Sequence, residues 1–86
     1  MTLRFIGIDP NTGTGESPTV WVDQTKSELV IQGWKAGPEL EAAVAAFEMS
    51  GHAVGIPEHE TVVRIPARMV PILRKACDAA ERTELR

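Results

Sequence analysis

At 86 residues, with 43% hydrophobic and 24% charged side chains, the chain is sized for one domain and too ordinary in composition to be disordered along its length. Its net charge of -3 hides an uneven split, because residues 1–60 hold nine acids against three bases and residues 61–86 hold six bases against three acids. That split argues against a nucleic-acid surface: acids interrupt the basic end, and the rest of the chain repels phosphate.

Cys77 is the one cysteine, so an internal disulfide is excluded and a reducing compartment is expected. No apolar run approaches the roughly eighteen residues of a membrane span, and the first residues lack the long apolar core of a signal peptide. The expectation is therefore a cytoplasmic protein with no membrane contact, folded as a single domain over 1–86. A domain of this size buries only roughly 60% of its unfolded surface, so a partner or a second copy is a common means of support.

Leu3 to Ile8 is apolar and stops at Asp9-Pro10, which predicts a first strand. Residues 9–18 contain Pro10, Asn11, Gly13, Gly15, Ser17 and Pro18 and predict a flexible loop. Thr19 to Gln24 and Glu28 to Trp34 are rich in β-branched and aromatic residues and predict two further strands. The short link Gln24 to Ser27 suits a hairpin, so that pair is antiparallel.

Gly37-Pro38 opens a helix, since proline at the first helical position loses no hydrogen bond and Glu39 and Glu41 favour the positive end of the helix dipole. Leu40, Ala43, Val44 and Phe47 form one apolar stripe, and Gly51 is a natural stop. Thr61 to Ile65 predicts a fourth strand that Pro66 ends. Met69, Ile72, Leu73, Ala76, Cys77 and Ala80 predict a last helix to about Arg82, in which Cys77 is a buried thiol within the stripe. Pro71 demands either a helix that begins there, after a turn over Pro66 to Val70, or a kink.

The expected fold is thus α+β: a three- to four-stranded, mainly antiparallel sheet with two helices, in the order β-β-β-α-β-α, the helices lying near 38–50 and 68–82. Alternation along the strands puts Val20 and Val22 on one face, with Thr19, Trp21 and Asp23 on the other. It puts Leu29 and Ile31 opposite Val30, Gln32 and Trp34, and Leu3 and Phe5 opposite Ile6 and Ile8. Large apolar groups therefore occur on both faces. Either each helix covers one face, or both helices pack on one face and leave Trp21, Val30 and Trp34 as a patch for a partner.

The polar clusters do not assemble into an active site. His52 and His59 lie beside Glu58 and Glu60, but a third metal ligand at a recognised spacing is missing. Asp9, Asn11 and Glu16 suggest a calcium loop, yet the glycine falls at the wrong position, and a phosphate loop would need a Gly-Lys-Ser/Thr ending. A nucleophile with a base and an orienting group is not evident either. Neither a cofactor nor a metal is expected, and an enzyme is not the reading.

Four blocks carry a resemblance: Phe5-Ile6-Gly7, Ser17 to Asp23, Leu29 to Lys35, and His59 to Pro66. Together they resemble a group of short actinobacterial proteins that look like accessory partners of helix-turn-helix regulators, although the early Trp-x-x-Ser block of better-known partner families is missing. The resemblance implies a regulatory role and brings no catalytic signature. The sequence thus points to a protein-binding module that contacts another protein or its own copy through Trp21, Val30, Trp34, Arg64 and Arg68. Arginine suits such a surface because its planar fork pairs with a carboxylate in two parallel bonds. Two alternatives are a small-molecule site built from the 9–18 loop with His52 and His59, and DNA contact by the basic last helix.

Overall fold

A computed structural model of the chain describes residues 2–11, 17–52 and 54–84, with side chains to Arg82. The centre of the expected flexible loop, residues 12–16, lies outside the described residues, and with it Glu16 of the calcium-loop pattern. The chain divides into two compact units, Met1–Gly33 with Ile65–Arg86, and Trp34–Arg64.

The first unit is a three-stranded antiparallel sheet, in the order β1-β2-β3, with one helix on it. Strand β1 spans Leu3–Ile8, β2 Thr19–Asp23 and β3 Glu28–Gln32. The central strand is the most buried because its Thr-Val-Trp-Val-Asp run suits a pleated surface that has neighbours on both edges. Asp23 ends it: Oδ1 accepts the backbone N–H groups of Thr25 and Lys26 at 3.0 and 3.1 Å, which turns the chain into the hairpin. Ser27 completes the turn in the left-handed region at φ 55°. The expected hairpin is present, with Asp23 opposite Glu28 and Trp21 opposite Val30.

Of the two arrangements expected at Pro71, the helix start is the one found, with proline in the first turn. A 3-10 turn over Ala67–Met69 leads into an α-helix over Val70–Glu84, α2, whose second residue is Pro71. There its missing N–H has no intrahelical partner to lose. Val20, Val22, Met69, Ala76 and Ala79 form the buried core, with Ile6, Ile65, Ile72, Leu73 and Ala80 packed against it. This inward arc advances 69, 72/73, 76, 79/80, and Cys77 falls one position outside it. The expected burial of Cys77 is therefore corrected: its thiol is exposed.

Strand parity also needs a correction in β1. Phe5 lies opposite Trp21 while Gly7 lies opposite Val20, so a bulge at Ile6 inserts one residue and shifts everything after it. Ile6 keeps its place against the core, but Ile8 lies opposite Thr19 and so moves to the face of Phe5 and Trp21. Gly7 lies against α2, and a Cβ there would meet Ile72 Cγ2 at 2.9 Å.

The second unit holds Trp34–Lys35 (β4), Gly37–Ala45 (α1) and Val63–Arg64 (β5), with β4 and β5 paired antiparallel. The predicted third strand is thus interrupted at Gly33, and its end joins a separate two-stranded ladder, while the predicted strand Thr61 to Ile65 shrinks to two paired residues. Helix α1 ends at Ala45, short of the expected Ser50. Ala46 N–H still bonds to Ala42 O, but Phe47 N–H bonds to Val44 O, a tightened final turn. None of its residues is buried, and a helix whose apolar stripe gains little burial has little to extend it.

Candidate functional site

Pairing register places three rows on the sheet face opposite Val20 and Val22: Leu3–Asp23–Glu28, Phe5–Trp21–Val30 and Ile8–Thr19–Gln32. The inner residues are satisfied or covered. Thr19 Oγ1 donates to Ser17 O at 3.1 Å, Asp23 caps the hairpin, and Trp21 and Val30 are half-buried. Exposure rises toward β1, where Leu3 is 45%, Phe5 58% and Ile8 45% exposed. An apolar strip therefore runs along one edge strand and is backed by an indole, with α2 occupying the other face of the same sheet.

Of the residues singled out from sequence, Trp21 and Val30 meet as cross-strand neighbours in this face. Trp34 and Arg64 are likewise neighbours, across β4 and β5 in the other compact unit. The Arg64 guanidinium stands 5.6 Å from the Trp34 ring centroid, its Nε donates to Lys35 O at 3.2 Å, and the ring is 41% exposed. Neither indole is a deeply buried core ring.

Arg68 has a different engagement. Its Nε and Nη2 donate to Asp9 Oδ1 and Oδ2, each at 2.7 Å, while Asn11 N–H donates to Oδ1 at 3.0 Å. The Arg68 bond and, after it, that of Asn11 hold the Asp9 carboxyl below the usual aspartate range, against the opposing effect of burial. The fork assigned from sequence to a partner's carboxylate is used within the chain. Ser17 Oγ is buried without a hydrogen-bond partner among the described residues, and Gln32 Nε2 donates to Ser17 O at 2.9 Å.

His52 packs edge-on against Phe47, with ring centroids 5.6 Å apart. It lines a hollow of about 360 Å³ with Val44, Glu60 and Val62, among others. His59 does not line it; it pairs with Glu60 at 3.6 Å in solvent. Among the described residues no group of three His, Cys, Asp or Glu could hold a metal ion, and no helix is long and apolar enough to cross a membrane.

Comparison with protein-family models, curated proteins and solved structures finds no match. The geometry of the chain itself therefore carries the functional argument.

Sequence reasoning missed Phe5 and Ile8 as members of the exposed face. Gly7 within a strand was the signal available for the bulge that moves Ile8. The Asp9–Arg68 pair left no local signal, because its members are 59 residues apart.

Proposed function

We propose that this chain is a protein-binding accessory or regulatory module whose docking surface is the sheet face carrying Leu3, Phe5, Ile8, Trp21 and Val30. One observation carries the reading: a half-buried Trp and a 58% exposed Phe lie side by side on a face whose reverse is already filled by a helix. Apolar groups grouped in this way mark contact sites, and tryptophan is among the residues that contribute most to binding when a partner excludes water around them. Trp34 and Arg64 offer a second aromatic contact, with the guanidinium held over the ring. The resemblance to partners of helix-turn-helix regulators supports the same class of role, in a cytoplasm that keeps the Cys77 thiol reduced.

Affinity purification from the source organism tests this, using the wild type and a Phe5→Asp variant as baits. Both are first checked for native circular dichroism. Loss of one specific protein from the Phe5→Asp bait is expected, the untagged native copy of the chain being counted as such a protein; identical sets of retained proteins would end the proposal.

A further inference from the structure

We infer that a second copy of the chain docks at the β1 margin of this face, by antiparallel pairing of β1 with β1 about a two-fold axis near Phe5. The inference rests on the binding role proposed above and names the partner.

Strand β1 is an edge of its sheet, so among the described residues one side of its backbone has no strand to bond. Its exposed side chains on the Trp21 face are Leu3, Phe5 and Ile8, an aliphatic–aromatic–aliphatic strip that reads alike in both directions. A two-fold axis reverses one strand against the other, so such a strip complements itself: Phe5 meets Phe5 of the second copy, and Leu3 comes beside Ile8. Isologous contacts of this kind need no second evolved surface. Arg4, the one charged residue of β1, then faces an apolar stretch rather than its own copy.

The size of the strip decides between edge pairing and simple face-on docking. It exposes roughly 300 Å², judged from the 150–250 Å² that a large aromatic side chain buries. A standard interface needs roughly 800 Å² from each partner. Side-chain contact alone falls well short, whereas adding a strand supplies main-chain hydrogen bonds as well as apolar contact. The bulge at Ile6 contributes by bringing Ile8 to the Phe5 face, without which the strip would end at Phe5. The opposite edge, β3, is the weaker candidate. It begins with the charged Glu28, and its exposed apolar residues, Leu29 at 40% and Ile31 at 37%, lie on the α2 side of the sheet.

Sedimentation and cysteine cross-linking test this on the full chain. Wild type should pass from monomer to dimer with rising concentration, and Phe5→Asp should weaken that association by about tenfold or more. In a Cys77→Ser background treated with oxidised glutathione, Phe5→Cys should form a disulfide-linked dimer and Val30→Cys should not. A wild-type monomer up to ~1 mM overturns the second copy as occupant, and cross-linking through Val30→Cys in place of Phe5→Cys overturns the pairing of β1 with β1. The affinity purification separates the two failures: a foreign protein lost with Phe5→Asp keeps the face as a binding surface, and no loss removes both.

Discussion

Arg68 grips Asp9 with both arms of its guanidinium at 2.7 Å and so ties the segment leading into α2 to the end of β1. The carboxylate is 3% exposed and the arginine side chain 42%, so one partner is shielded and the other reaches in from the surface. A bidentate bond to a shielded carboxylate is geometrically demanding, and a point charge does not reproduce it.

Arg68→Lys should therefore lower the melting temperature although it conserves charge, and Asp9→Asn should lower it further by leaving the guanidinium without its anion. A melting curve of each variant beside the wild type checks the order.

The same pair sets a pH dependence. Asp9's carboxyl is depressed in the folded state from 3.8, chiefly by the Arg68 bond, so its stabilising effect is complete above that value and is lost as the pH falls through the lower folded-state value. The gap in melting temperature between wild type and Asp9→Asn should be constant near neutrality and close in strong acid. A gap that widens on acidification would contradict the assignment.

Gly7 packs directly against Ile72 of α2. Gly7→Ala brings a Cβ to 2.9 Å from Ile72 Cγ2 and should destabilise by about 1–3 kcal/mol through overpacking. Ile72→Ala removes the obstructing methyl groups. The double variant should therefore be less destabilised than the two single effects combined, a coupling that denaturant titration measures.

Met69 and Phe5 should separate stability from association. Met69 is fully buried in the core, and Met69→Ala should cost about 2–5 kcal/mol. Phe5 contributes mainly a cross-strand contact with Trp21, so Phe5→Ser should cost only about 0.2–1 kcal/mol while weakening dimer formation. Urea titration and sedimentation of both variants give the contrast.

The hairpin turn holds a small reserve. Ser27 adopts φ 55°, where an L side chain crowds its own carbonyl. Ser27→Gly should stabilise by about 0.5–1 kcal/mol, the relief exceeding glycine's entropic cost, and thermal unfolding should show the rise.

Much of the fold was legible because its signals are local. Val20-Trp21-Val22 with Asp23 after it specifies a strand and its turn, and Pro71 narrows the last helix to a start or a kink at that point. The partnership of Trp21 with Val30 followed from the hairpin link between them. Phe5's company on that face followed only once its register against β2 was known. The stripe Leu40, Ala43, Val44 and Phe47 located helix α1 but not its end at Ala45, because spacing describes a face and says nothing of whether anything covers it.

What the chain determines by itself is which segments extend, turn and coil, since backbone preference and side-chain alternation act over a few residues. Tertiary structure decided the rest. The bulge at Ile6 moved Ile8 across the sheet, and the arc of α2 that faces Val20 and Val22 left Cys77 outside. The closing of Arg68 on Asp9 took a surface arginine into the architecture of the fold. Each of these depends on register or on contacts between distant segments, where a one-residue shift reverses the face a side chain presents.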